Sequence, residues 1–98
     1  MAENLNVFWS SEAEQNLNDI LTYIEEHWTH KEVENFLSKL DKCIFLIQNK
    51  PKLFPPTKQR ANLRRCVLSK QTSLFYSYTE STIYIVTLFD NRRDPSKL

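Results

Sequence analysis

Polar and apolar positions change period as the chain proceeds, and each change marks an element. Leu5-Asn6-Val7-Phe8-Trp9 alternates and then turns aromatic, which predicts a short first strand. Ser10-Ser11 follows, and Ser11 with Glu14 makes an S-x-x-E capping box that opens a helix. Ala13, Leu17, Ile20, Leu21, Ile24 and Trp28 recur at helical spacing and form one apolar stripe, with Glu12, Asn16, Asp19 and Glu26 opposite. Thr29 and Glu32 form a second capping box, so a new helix starts there and runs to about Asn49. Its stripe is Val33, Phe36, Leu37, Leu40, Ile44 and Ile47, and Lys50-Pro51 ends it.

Residues 51–62, PKLFPPTKQRAN, form an irregular link. Beyond it the period falls to two. Leu63 to Leu68 predicts a strand, Ser69-Lys70-Gln71 a polar connection, Leu74 to Tyr78 a further strand, Thr79-Glu80-Ser81 a tight turn, and Ile83 to Phe89 a last strand. Simple alternation places Ile83, Ile85 and Phe89 on one face of that strand and Tyr84, Val86 and Leu88 on the other. A strand apolar on both faces belongs inside a sheet, covered on both sides. The expected architecture is α+β, in the order β-α-α-β-β-β, with a helical hairpin packed on a small, mostly antiparallel sheet. A chain of 98 residues makes this one domain spanning 1–98.

Composition narrows the chemistry. Glycine is absent, so no glycine-rich phosphate loop of the Rossmann or Walker type is possible, and every turn must use other residues. Cys43 and Cys66 lack CxxC spacing and sit in apolar surroundings, which suits free, buried thiols. His27 and His30 flank the break between the helices with no third ligand type nearby, so no metal is expected. No cofactor is implied. No apolar run approaches the roughly 18 residues of a membrane span, and MAENLNVFW lacks the order of a secretory signal, so a cytoplasmic location without membrane contact is expected.

The net charge of +1 conceals a split. Residues 1–49 hold three Lys against nine Asp plus Glu, giving −6, whereas residues 50–98 hold ten Lys plus Arg against three acids, giving +7. A basic surface on one domain suits an anionic partner, either nucleic acid or an acidic protein. Its candidate members are Lys58, Arg60, Arg64, Arg65, Lys70, Arg92 and Arg93. Neighbouring strand residues point to opposite faces, so only one of Arg64 and Arg65 faces a given groove. Arg92 and Arg93 follow the last strand and could converge with Lys70, Lys58 or Arg60. Guanidinium groups grip phosphate or carboxylate bidentately.

RNA cleavage through the 2′-hydroxyl needs a base, an acid and cations for the developing charge. Cations are plentiful here. Proton-transfer groups are scarce, because both histidines lie in the acidic half and leave Asp90, Glu80, Tyr76 and Tyr78. Strand aromatics are usually core residues, with Tyr76 and Tyr78 the better candidates for an exposed role.

Phe8-Trp9-Ser10, Glu12-Ala13-Glu14 with Leu17, the helix pair, Pro51 with Phe54-Pro55, Arg64-Arg65-x-Val67-Leu68, Leu74-Phe75-Tyr76 and Leu88-Phe89-Asp90-Asn91-Arg92-Arg93-Asp94-Pro95 stand in a characteristic order. Over residues 7–95 the chain resembles the RelE/ParE superfamily of bacterial toxins. The resemblance implies a type II toxin–antitoxin module, with a small antitoxin that wraps the toxin by an extended or helical segment. RelE-like members cleave messenger RNA on the ribosome, and ParE-like members poison DNA gyrase. By position, Arg92 matches the family arginine after the last strand, and Arg65 falls in an Arg-x-Val-Leu motif. Thr72-Ser73 stands where RelE-like chains often carry an arginine, and no Tyr or His follows the last strand. The ending Arg-Arg-Asp-Pro is common in ParE-like members. A non-catalytic target binder is therefore favoured. In the alternative, an mRNA endoribonuclease, Arg92 stabilises the cyclising phosphate, Arg65 or Lys70 holds the backbone and Asp90 or Tyr76 moves the proton. A third reading is a non-toxic antitoxin-binding module.

Overall fold

The computed structural model describes residues 5–58, 60 and 62–90, and its elements run β1 Asn6–Trp9, α1 Ser11–His27, α2 His30–Asn49, β2 Arg64–Val67, β3 Thr72–Tyr78 and β4 Thr82–Asp90. The predicted order and α+β class are both observed. Four strands form one mixed sheet in the order β1-β4-β3-β2. β1 runs parallel to β4, while β3 is antiparallel to both β4 and β2.

One apolar core joins the two layers. Ala13, Ile20 and Ile24 from α1 and Val33, Phe36, Leu40, Cys43 and Ile47 from α2 meet Cys66, Leu74, Tyr76, Ile83, Ile85 and Leu88 from the sheet. Each fully buried Leu or Ile there contributes about 1.5–3 kcal/mol relative to exposure. Trp28 does not extend the α1 stripe. The helix ends at His27, and Trp28 is its extended C-cap, with the side chain 47% exposed. Among the described residues no helix is long and apolar enough to cross a membrane.

β4 lies between β1 and β3, as its apolar sequence requires, but its outer face is open instead of covered. Phe8 and Tyr84 pack edge to face there, with ring centres 6.0 Å apart, and both are exposed. Alternation along β4 is also broken. Phe75 pairs with Thr87 but Tyr76 pairs with Ile85, so Val86 is an extra residue, a β-bulge. Ile83 and Ile85 face the helices before it, and Leu88 and Asp90 after it. Phe89, expected beside Ile85, consequently points outward and is 43% exposed.

The bulge coincides with the place where β1 stops pairing with β4. Ser10 N–H donates to Ile85 O at 3.0 Å, and Ser10 Oγ donates to Val86 O at 2.7 Å. Asn16 Oδ1 then accepts from Leu88 N–H at 3.1 Å and from Thr87 Oγ1 at 2.8 Å. The start of α1 thus supplies partners for the edge of β4 that β1 leaves open. Asn16 is half-buried in this role, not part of a solvated face.

The same contact corrects the helix start. Ser10, not Ser11, is the N-cap, its Oγ accepting from Ala13 N–H at 2.9 Å. Thr29 caps α2 as the sequence indicates, its Oγ1 accepting from Glu32 N–H at 3.3 Å.

Glycine's absence is met by hydroxyl groups. Among the described residues none has positive φ. Ser69 Oγ accepts from the N–H groups of Gln71 and Thr72 in the β2–β3 turn, and Thr79 Oγ1 accepts from those of Ser81 and Thr82 in the β3–β4 turn. Ser10→Ala removes a cap and a strand-edge bond together and is expected to destabilise the fold by about 1–2 kcal/mol. Ser11→Ala should shift it by less than about 0.5 kcal/mol. Urea titration of the pair checks the assignment.

Candidate functional site

The open face of the sheet meets the proline-rich link at a cleft of about 720 Å³ lined by Phe54, Pro55, Pro56, Thr57, Lys58, Arg65, Val67 and Phe75. The link is held along the outer edge of β2 by main-chain bonds. Arg65 N–H donates to Pro55 O at 3.2 Å and Thr57 N–H to Leu63 O at 2.7 Å, with a bridge between Pro56 and Arg64. Prolines at 55 and 56 carry no N–H, so this added edge does not invite another strand.

Arg64 and Arg65 diverge, as strand geometry requires. Arg64 pairs with Tyr76 across β2 and β3, and its Nη1 donates to Phe54 O at 2.6 Å and Lys52 O at 3.3 Å. Its guanidinium also lies 5.7 Å from the centre of the Tyr78 ring. Tyr76 Oη donates to Pro51 O at 2.7 Å. Two cross-strand neighbours therefore clamp the start of the link by its carbonyls. Arg65 instead lies on the open face, where its Nε donates to Ser73 Oγ at 3.0 Å. That bond fixes the plane of an exposed guanidinium in the cleft wall.

Tyr76 is a correction to the sequence reading. It is 0% exposed, and burial pushes its phenol up to about 12, against smaller opposing effects of the Phe54 backbone and the Arg64 guanidinium. The tyrosine is a structural anchor and lies in no groove. The sheet alternates, but β3 turns Thr72, Leu74 and Tyr76 toward the helices, and sequence parity alone does not say which set faces in.

Asp90 is 4% exposed, and its carboxylate accepts from Thr72 Oγ1 at 2.7 Å, directly across the β3–β4 pair. Glu80 is exposed in the β3–β4 turn. Lys70 lies in the β2–β3 turn, next to the end of β4, whereas Lys58 reaches the cleft and Arg60 is exposed on the link. A second depression of about 500 Å³ lies on the other side of Phe75, lined by Glu12, Asn16, Thr87, Leu88, Phe89 and Asp90. Arg92 and Arg93 lie outside the described residues.

The histidines sit at the α1–α2 junction. His27 stacks on Tyr23, and His30 lies 3.7 Å from Glu25 and 3.5 Å from Glu34. Among the described residues no group of three or more His, Cys, Asp or Glu side chains could hold a metal. Sequence reasoning missed Phe75 and the Pro55–Thr57 edge. The Phe-Pro-Pro run, which ends strand pairing on one side, was the available signal.

A family model described as the ParE toxin of the type II toxin–antitoxin system parDE matches residues 7–95. The chain belongs to this family. No curated protein matches the toxin in sequence. Among solved structures it is similar to a chain of the chromosomal ParDE system from P. aeruginosa, at 11% identity and a TM-score of 0.73, covering 91% of this chain and 98% of that one. It is also similar to a chain of the E. coli DinJ–YafQ toxin–antitoxin complex, at 12% identity and a TM-score of 0.64, covering 94% and 98%. A third is the YoeB dimer from Staphylococcus aureus, at 14% identity and a TM-score of 0.62, covering 89% and 97%. At such identities these likenesses concern the fold of the toxin.

The clamp is testable through its proton. A phenol whose pKa is raised on folding favours the native state fully below about pH 10, the unfolded value. That contribution is lost as pH rises toward about 12. Tyr76→Phe leaves Pro51 O without its donor and is expected to cost about 1–2 kcal/mol at neutral pH. It should also flatten the fall in stability across this alkaline window, measured by urea unfolding at stepped pH.

Proposed function

We propose that this toxin inhibits bacterial growth in the cytoplasm by binding a cellular target without chemistry, DNA gyrase being the target that its ParE-like character suggests. The observation that carries this reading is the lining of the 720 Å³ cleft. Among the described residues it presents Lys58 and Arg65 beside aromatic and proline surface, and no carboxylate, imidazole or phenol. Cutting RNA requires proton transfer at both the attacking and leaving oxygens. Tyr76 and Asp90, the groups that would move the proton in the endoribonuclease alternative, are buried and hydrogen-bonded to Pro51 O and Thr72 Oγ1. A cation beside an apolar wall is instead the make-up of a protein-recognition hot spot.

Arg65 is the anchor of this surface. Ser73 sets its plane, so less freedom is lost when a carboxylate is gripped. Arg92 and Arg93, which follow β4 in the sequence, are further candidates for binding the target or the antitoxin in this reading. A cognate antitoxin rich in carboxylates neutralises the toxin by occupying the cleft, so a complex that leaves Arg65 in solvent would count against this part.

Induction of the chain alone in bacteria, with amino-acid and thymidine incorporation followed together, tests the target. DNA synthesis is expected to fall first. An earlier collapse of protein synthesis would replace this reading with the ribosome-dependent endoribonuclease. Unchanged incorporation of both labels would leave a non-toxic antitoxin-binding module. Arg65→Glu is expected to relieve growth inhibition by at least about tenfold while the protein stays folded.

A further inference from the structure

The two ends of the sheet are finished differently. β2 has the clamped proline link along its outer side, and β1 lies at the opposite end of the strand order. Asn6 N–H donates to Ser81 O and Ser10 N–H to Ile85 O, each at 3.0 Å, so the even-numbered residues of β1 turn their main chain to β4. Val7 and Trp9 turn theirs the other way. Among the described residues no main-chain group pairs with either from that side. Gln48 Nε2 donates to Leu5 O at 2.7 Å and closes the edge before this stretch, and α1 begins at Ser11 after it. Residues 5–11, Leu-Asn-Val-Phe-Trp-Ser-Ser, hold no charge and no proline, the usual means of keeping an edge from pairing. Phe8 is 59% exposed on the open sheet face, edge to face with Tyr84, while Val7 and Trp9 pack on the core side.

We propose that the outer edge of β1 is a self-association surface, occupied by a second copy of this chain paired antiparallel through the same strand. A twofold axis at Phe8 sets Val7 opposite the partner's Trp9 and Trp9 opposite the partner's Val7. Each of these pairs exchanges both N–H···O bonds, so all the open main-chain groups of both strands are used. An axis at Val7 instead faces Trp9 with Leu5, whose carbonyl Gln48 already holds. An axis at Trp9 faces Val7 with Ser11, which is already helical. With the axis at Phe8, that residue meets its own copy across the closer, non-hydrogen-bonded spacing, about 4.5 Å between Cα atoms. Both Phe8 rings lie on the open face between the two Tyr84 rings and complete one aromatic row.

Composition favours a copy as the occupant. A twofold interface sets one surface patch against itself, so it suits a strand whose groups do not repel their own kind. β1 meets that condition. Asn6 faces the partner's Ser10, Phe8 faces Phe8, and no like charges meet in the paired stretch. The product is one eight-stranded sheet, two four-stranded sheets joined at β1, with a β2 strand at each end. The clefts that hold Arg65 stay open at those ends, and the dimer is bivalent for whatever the cleft binds. The inference therefore stands apart from the toxin's target.

Sedimentation equilibrium of the purified full chain, from about 1 to about 100 μM, tests it. Mass is expected to rise with concentration from 11.7 kDa toward twice that value and no further. Phe8→Lys sets two ammonium groups against each other at the axis and should weaken the dimer by at least about tenfold. Phe8 is exposed, so the variant should keep the urea midpoint of the wild type within error. Phe8→Glu should behave alike, and an equimolar mixture of the two variants should pair again, a rescue that requires position 8 to face position 8. If either variant does not fold, hydrogen exchange of the wild type decides. Its Val7 and Trp9 amides should slow by at least about tenfold between the lowest and highest concentrations. A chain that is monomeric throughout, a dimer indifferent to Phe8→Lys, association beyond the dimer, or a folded mixture that stays monomeric would each overturn the inference. So would protection of Val7 and Trp9 that appears only with an antitoxin, which would give the edge to that partner.

Discussion

The edge of β4 beyond Ile85 is the constraint on which the rest of the molecule hangs. β1 pairs with β4 only from Thr82 to Ile85, so the main-chain groups that follow face no strand on that side. A buried unpaired N–H or carbonyl costs about 1–3 kcal/mol, so partners must come from elsewhere. Ser10 and Asn16 provide them, and in doing so fix where α1 begins and how it approaches the sheet. The bulge at Val86 belongs to the same arrangement. By exchanging the faces of β4, it turns Leu88 into the core and Phe89 onto the open surface.

The open surface inherits its character from this geometry. With the helices on one face only, the other keeps Phe8, Tyr84, Phe89 and Val67 in contact with solvent. This apolar area lies on the same sheet face as the guanidinium of Arg65. The edge of β2 is handled differently. Pro55 and Pro56 lie along it, and the Arg64–Tyr76 pair holds the link by three carbonyls. One edge is sealed by helix-start side chains and the other by a clamped proline segment.

Much of this was legible in the sequence, for identifiable reasons. The two helices announce themselves through long apolar stripes, and Thr29 with Glu32 marks their junction because the cap is a local interaction. The interior place of β4 follows from its apolar content. What could not be read depended on partners distant in sequence. Ser10 and Ser11 are equivalent in a local capping rule, and Ser10 is chosen by Val86, 76 residues away. The bulge leaves no mark in the alternation of Tyr84, Val86 and Leu88, so simple alternation puts Phe89 on the wrong face. Tyr76 looked available because a strand tyrosine has no local feature that distinguishes a buried hydroxyl from an exposed one. Strand alternation sends Arg64 and Arg65 to opposite faces without saying which faces out, and the fixing of Arg65 by Ser73 is a cross-strand fact.

The inward polar groups share a purpose that bears on function. Tyr76 Oη, Asp90 and Thr72 Oγ1 are all committed to holding elements together, and no buried side-chain polar atom among the described residues lacks a partner. Catalytic groups are commonly left under-satisfied or perturbed so that they can exchange protons with a substrate. Here the perturbed phenol is stabilised in its protonated form and faces a main-chain carbonyl, so its perturbation serves the clamp. The cleft beside them is lined, among the described residues, by guanidinium, ammonium, aromatic, hydroxyl and proline groups. Those groups recognise by shape and charge, while Tyr76 and Asp90 serve the architecture of the sheet and its link.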